Sequence, residues 1–244
     1  MTEEIRLAGL DNKLLQFFGT LPAECPYGLN QPALYHQASF EQLESPLLKS
    51  LIEHGYRRNG NCFYNMQCPF CSKCVPIRIR PNAFKSNRNQ RRILKKNADI
   101  SVEQAPLTMS GKNIALLDKF LLSRFPECRN QALSYYSHFF ITTISNCFEI
   151  RYWKESDSER QLVGVAIIDV ALDWANAVYF YFDPEEGWRS PGTYNILTLI
   201  SLCQKWDIPF LYLGYAIDAL SSMTYKKTFR PHELLVSKVW RQGE

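Results

Sequence analysis

From His54 to Ala98 the chain carries no Asp or Glu, yet it holds Arg57, Arg58, Lys73, Arg78, Arg80, Lys85, Arg88, Arg91, Arg92, Lys95 and Lys96. These are 11 of its 28 basic residues, which leaves 17 basic against 24 acidic residues elsewhere. The formal charge of +4 thus divides into +11 inside the stretch and −7 outside it. Cations so concentrated repel one another, and a folded chain keeps them together where a polyanion sits. Cys68-x-x-Cys71-x-x-Cys74 lies in the same stretch. A basic surface pinned by cysteines reads first as a nucleic-acid contact.

At 244 residues the chain is one large domain or two small ones. Its 46% hydrophobic content, with 14% aromatics, is ample for a core. Met1-Thr-Glu-Glu4 is acidic where a secretory signal needs positive charge, and the longest apolar run, Leu162 to Leu172, is interrupted by Asp169. A soluble, cytoplasmic protein is expected. Eight cysteines in that compartment are expected as thiols or metal ligands rather than disulfides.

The pattern changes near residue 100. Residues 1–100 read as an irregular, basic region with a helix from Ser45 to His54 and extended pieces at Cys62–Tyr64 and Val75–Ile79. A helix from Asn87 to Asn97 is expected, capped by Asn87 and presenting Arg88, Arg91, Arg92, Lys95 and Lys96 as a cationic face that binds RNA. Ser110 then caps an amphipathic run to Phe125, and a second helix covers Ala132 to Ile144. Three strands follow, Cys147 to Trp153, Gln161 to Trp174 and Ala177 to Phe182. Beyond them come a helix from Gly192 to Trp206, a strand at Pro209–Gly214, a helix at Ala219–Thr228 and a strand at Leu234–Trp240. Two helices, an antiparallel meander, then helix–strand–helix–strand is the order of a GNAT-type acyltransferase domain. The expected class is α+β, with that domain at 101–244 behind the basic, cysteine-containing region.

Two-residue spacers let successive thiolates of Cys68, Cys71 and Cys74 turn toward one ion, and a zinc or iron–sulfur site needs a fourth ligand. Cys25 is the best candidate, and Cys62 the weaker one because it falls in a strand-like run. Cys128, Cys147 and Cys203 have no spacing partners and read as core residues. His36, His54, His138 and His232 are scattered and read as structural. Arg189-Ser-Pro-Gly192-Thr-Tyr194 sits between a strand and a helix, where helix N-terminal amides favour an anion. Tyr194 and the lack of further glycines fit a carrier phosphate other than that of coenzyme A.

Several motifs run in order along the chain. They include Cys25-Pro-Tyr27, Gly55-Tyr-Arg-Arg58, Cys68-x-x-Cys71-x-x-Cys74-Val-Pro-x-Arg78, Asn89-Gln-Arg-Arg92, Tyr179-x-x-Phe-Asp-Pro184, Arg189-Ser190, Tyr212-Leu-Gly-Tyr215 and Met223-x-Tyr-Lys226. With them the chain resembles the arginyl-tRNA–protein transferase family, and within it the bacterial aspartate/glutamate leucyltransferases, from Leu15 to Trp240. It departs from the family pattern at Gly28-Leu29-Asn30, Arg124-Phe125 and Tyr215-Ala216-Ile217. The resemblance implies an aminoacyl-tRNA donor, a protein acceptor with N-terminal Asp or Glu, and a role in N-terminus-dependent degradation. No cofactor is implied for the chemistry.

An aminoacyl ester is already activated, and a peptide α-amine with pKa ~7.7–8.0 is roughly one-tenth neutral at pH 7. Positioning and oxyanion stabilisation are therefore expected to dominate over acid–base work. Placement makes Asp183 the candidate base, with Tyr179 and Tyr215 as hydrogen-bond donors to the reacting carbonyl. Arg189, Gly192 and Tyr194 are candidates for the terminal adenosine or its phosphate, and Lys226 or Arg230 for the acceptor carboxylate. Leucine is the expected cargo, with Phe182, Leu211 and Leu213 as a candidate apolar pocket. Arginine is the alternative, with Asp183 or Asp218 to face the guanidinium. A non-catalytic tRNA-binding protein on the same fold is the reading from a different class, and a coenzyme A-dependent acetyltransferase stands third.

Overall fold

A computed structural model describes residues 10, 12–126, 131–155 and 159–243. The first part of the chain forms α1 (Asn12–Leu15), β1 (Gly19–Glu24), β2 (Pro32–Ser39), α2 (Ser45–Glu53), β3 (Arg57–Asn59), β4 (Cys62–Met66), β5 (Val75–Ile79) and α3 (Arg88–Lys96). Next come β6 (Ile100–Pro106), α4 (Gly111–Arg124), α5 (Ala132–Phe139), β7 (Cys147–Lys154), β8 (Gln161–Val170) and β9 (Ala175–Phe182). The last part holds α6 (Pro191–Lys205), β10 (Leu211–Ala216), α7 (Ser221–Thr224), β11 (His232–Val236) and β12 (Val239–Gln242).

These strands build an eight-stranded sheet in the order β12-β11-β5-β10-β9-β8-β7-β6 and a four-stranded sheet in the order β1-β2-β4-β3. β8 is buried along nearly its whole length because helices cover both faces of the large sheet. On one face Ile196, Leu197, Leu199 and Ile200 of α6, with Ile93 of α3, pack on Ile77, Ile150, Val163 and Ala166. On the other, Leu117, Phe120 and Leu121 of α4 and Tyr136 of α5 pack on Val165, Ile167 and Tyr181. From β6 through the helix pair, the meander β7–β9, α6, β10, α7 and β11, the order is the expected GNAT-type one.

The first hundred residues are more regular than their composition suggests. Their hairpins complete a small antiparallel sheet, and the expected boundary at residue 100 cuts through shared structure. β5 lies inside the large sheet, paired antiparallel to β10 on one side and to β11 on the other. The small sheet is tied on by a buried ion pair. Arg58, 2% exposed, donates from Nε and one terminal nitrogen to the two Asp169 oxygens on β8 at 3.0 and 2.7 Å. Arg78 and Arg80 on either side of β5's end both reach Glu233 of β11, at 2.5 and 2.7 Å. Three cations of the acid-free stretch thus find acids more than a hundred residues away. Among the described residues, the charge left without such a partner is concentrated on α3.

Local signals behave as the residues dictate. Asn87 caps α3 in a reciprocal box with Gln90, each side chain bonding the other's backbone N–H at 2.9 Å. Ser110 caps α4 by accepting from Asn113 N. Three expectations change. The second helix stops at Phe139. The helix expected at 219–228 is one short turn followed by a tighter one at Tyr225–Thr228. The last strand is a hairpin whose turn, Ser237-Lys238, has both residues at positive φ. Cys128 lies outside the described residues.

Candidate active site

β9 and β10 run parallel but pair only through Leu211↔Ala175 and Tyr212↔Asn176. Beyond that point they part, and the wedge between them is lined from other elements. Arg57, at the start of β3, sends its guanidinium into the wedge and donates to the Val178 carbonyl of β9 at 3.3 Å. On the opposite wall Lys226 Nζ donates to the Leu213 and Tyr215 carbonyls of β10 at 2.9 and 2.8 Å. The two cations take over backbone acceptors along the parted strands. Gly214, at φ +73°, makes room for this: an added Cβ would lie 2.6 Å from Arg57 Cζ. Only glycine satisfies both the left-handed backbone and that approach.

Tyrosines surround the wedge. Arg57 Cζ lies 5.5 Å from the centroid of the Tyr215 ring, which Tyr27 meets edge-on at 6.3 Å. Tyr27 and Tyr64 both stand within the field of this guanidinium. The Tyr179 ring lies 5.8 Å from that of Tyr135 and near the same guanidinium. Tyr215 is 1% exposed, and among the described residues its hydroxyl has no hydrogen-bond partner. Burial raises its pKa, so it is an O–H donor awaiting an acceptor. No carboxylate pairs with Arg57 or Lys226 among the described residues. Burial, and then the nearby Arg57 charge, push the Lys226 ammonium down to about 7.

Tyr179, Tyr215 and Lys226 of the expected site therefore come together, and Arg57 joins them. Asp183 does not. It stands five residues past Val178, ~17 Å along a strand, where Oδ1 accepts from Glu185 N at 3.0 Å and from Lys119 at 2.8 Å. It is a capping carboxylate held by a lysine. Arg189 is also spoken for: its terminal nitrogens bind both Asp99 oxygens at 2.6 and 2.7 Å, and Nε binds Glu186 at 2.6 Å. It also donates to the Lys96 carbonyl at 2.8 Å, which leaves it little capacity for a phosphate. Tyr225 stands over Gly192, where an added Cβ would be 3.2 Å from its hydroxyl, and the Tyr194 ring packs edge-on against Tyr152.

Arg230 is exposed just before β11. Leu211 and Leu213 are buried in one core and Phe182 packs into another against Phe120, so they do not line a pocket. Asp218 is exposed and paired with Lys227. Of the histidines, His36 bonds the Tyr56 hydroxyl, and His54 and His138 bond carbonyls one turn earlier in their own helices. Arg57 escaped the residue-by-residue reading because it was one of eleven cations. The Gly55-Tyr-Arg-Arg58 motif was the signal available for it.

Beside the wedge, the Cys25, Cys68 and Cys71 thiols lie within electrostatic reach of Cys74. Burial, then the neighbouring Cys68, Cys25 and Cys71 thiols, push Cys74 up to about 12. Cys25 stands at the same end of the small sheet as Cys68. It follows β1, while Cys68 follows β4 and accepts a hydrogen bond from Leu34 N of β2 at the same end. Cys62 pairs with Ser39 at the other end of β4. Soft thiols from one face suit zinc or an iron–sulfur cluster in kind. Among the described residues, no three Cys, His, Asp or Glu side chains stand in ligand geometry. Cys147 accepts from Arg58 at 3.2 Å and Cys203 is buried core. No helix among the described residues is long and apolar enough to cross a membrane.

The N-terminal sequence model of the arginine-tRNA-protein transferase family matches residues 23–92, and its C-terminal model matches residues 112–236. Proteins named aspartate/glutamate leucyltransferase are similar over nearly the whole chain. That of Marinobacter nauticus is 31% identical over 237 residues, covering 94% of this chain and 97% of its own. That of Saccharophagus degradans is 32% identical, covering 93% and 96%, and one from Pseudomonas putida is 33% identical with the same coverage. Among solved structures, FemX overlaps 87% of this chain and 83% of its own at TM-score 0.48 and 8% identity. L-PGS from Bacillus licheniformis overlaps 85% and 69% at 0.44 and 13%. With both family models matched in order and full-length relatives above 30% identity, the chain belongs to the arginine-tRNA-protein transferase family of aminoacyltransferases.

Proposed function

We propose that the protein moves leucine from leucyl-tRNA to the α-amine of proteins that begin with Asp or Glu, in the cytoplasm, as a mark for degradation. The amine attacks the ester carbonyl, a new amide bond forms, and the ribose hydroxyl of the tRNA departs. The nitrogen's proton ends on that oxygen. Tyr215, with its hydroxyl free to donate, is assigned to the carbonyl oxygen as charge develops there. Lys226, poised near neutrality, is assigned to relay the proton.

The observation that carries this reading is Arg57, a guanidinium in the wedge with no carboxylate partner among the described residues. Desolvated cations of this kind are costly unless an anion completes them, and a bidentate carboxylate does so best. An N-terminal Asp or Glu brings one. The same charge argues against arginine as cargo, since its guanidinium would meet Arg57 with no acid among the described residues to offset it. The names of the similar proteins and the apolar neighbours of Tyr215, namely Leu29, Met66, Leu220 and Met223, favour leucine. Labelled leucyl-tRNA and arginyl-tRNA, offered with Asp-, Glu- and Asn-initiated peptides, test it. Leucine is expected on the acidic peptides only; arginine transferred at an equal rate would refute the assignment.

A further inference from the structure

Trp188 is 58% exposed in the turn between β9 and α6, yet its ring is not loosely held. The Arg189 guanidinium lies 4.4 Å from the ring centroid and the Lys96 ammonium 5.7 Å. Arg189 is itself locked by Asp99 and Glu186, and Lys96 donates to the Trp188 carbonyl at 2.8 Å. Buried Asn97 ties the same corner, donating to the carbonyls of Ile93 and Arg189. The indole is thus backed by a fixed cationic plane and turned toward solvent at the C-terminal end of α3.

Helix α3, ~13 Å long at 1.5 Å per residue, presents exposed Arg88, Arg91, Arg92 and Lys95. Among the described residues none of the four is paired with a carboxylate. Cations that follow phosphates toward an aromatic plane are the two parts of a single-strand binding surface. An aminoacyl-tRNA carries its ester on an unpaired 3′ end, and the ester must reach the wedge formed farther back along β9. We propose that Trp188 stacks an unpaired base of that 3′ end while α3 holds neighbouring phosphates. The inference rests on the aminoacyl-transfer reading and adds a place for the RNA's single-stranded terminus.

The test is equilibrium binding of two uncharged tRNAs, one complete and one lacking its unpaired 3′ nucleotides, to wild type, Trp188→Ala and Trp188→Phe. Trp188→Ala is expected to lose about ten-fold in affinity for the complete tRNA and little for the truncated one. Trp188→Phe, which keeps a stacking face, restores most of the difference. An alanine variant that binds both RNAs as wild type does, or weakens both equally, overturns the proposal. Leucyl transfer is assayed on the same preparation. Wild type that transfers leucine but binds both RNAs alike overturns stacking alone, whereas wild type that binds neither RNA overturns the transfer reading with it.

Discussion

Lys226 shows how a single residue can serve two needs in this fold. Its amine satisfies two carbonyls that β10 would otherwise leave open, and the same burial disfavours its charge. The folded-state pKa is lowered from 10.5 to about 7, so between those values the unfolded chain holds a proton that the folded chain lacks. Stability from this group therefore rises with pH across that window and is flat below it. Urea unfolding of wild type and Lys226→Met checks this. The variant should be at its most stable relative to wild type near pH 6 and lose that relative advantage steadily toward pH 10. A pH-independent difference would show that the amine is charged in the folded protein. The substitution should also slow transfer, because the proton relay goes with it.

Among the elements, α3 and the cysteine loop carry separate tests. If the exposed face of α3 contacts phosphates, replacing Arg91, Arg92 and Lys95 by Gln should reduce the slope of log affinity against log salt by about 2 to 3. An unchanged slope would place the RNA elsewhere. For the cysteines, zinc or iron bound after anaerobic purification should fall on Cys25→Ser as it does on Cys68→Ser, and persist on Cys62→Ser. Metal retained in Cys25→Ser would break the four-thiol assignment. Helix α3 and the cysteine spacing, though not a metal site, were legible in the sequence because their signals are local. Asn87 and Gln90 cap within one turn, and Cys-x-x-Cys-x-x-Cys is a spacing. The small sheet was not legible, since β1 is exposed throughout and β2 is half-buried along most of its length, and neither shows the two-residue alternation of a strand with one buried face. Asp183 misled for a related reason. An Asp before Pro at a strand end looks the same whether it faces a substrate or caps the next turn, and only Lys119, 64 residues earlier, decides between them.

At the scale of the molecule, the wedge is assembled from both parts of the chain. Val178, Gly214, Tyr215 and Lys226 come from the acyltransferase-like part, whereas Arg57, Tyr27 and Tyr64 come from the basic part. The insertion of β5 beside β10 and the Arg58–Asp169 pair fix the two relative to each other. That composite origin explains why the sequence displayed the tyrosines but not the cation between them: the contact spans more than a hundred residues. It also makes Arg57 the residue on which acceptor recognition turns. The most direct measurement is kcat/KM with leucyl-tRNA for an Asp-initiated and an Asn-initiated peptide, in wild type and in Arg57→Gln. A charge-assisted pair of ~1.5–3 kcal/mol corresponds to a preference for Asp of roughly 10- to 100-fold in wild type. Arg57→Gln should abolish that preference while tRNA affinity stays within about two-fold. A variant that still prefers Asp by the wild-type factor would contradict the placement of the acceptor carboxylate in this wedge.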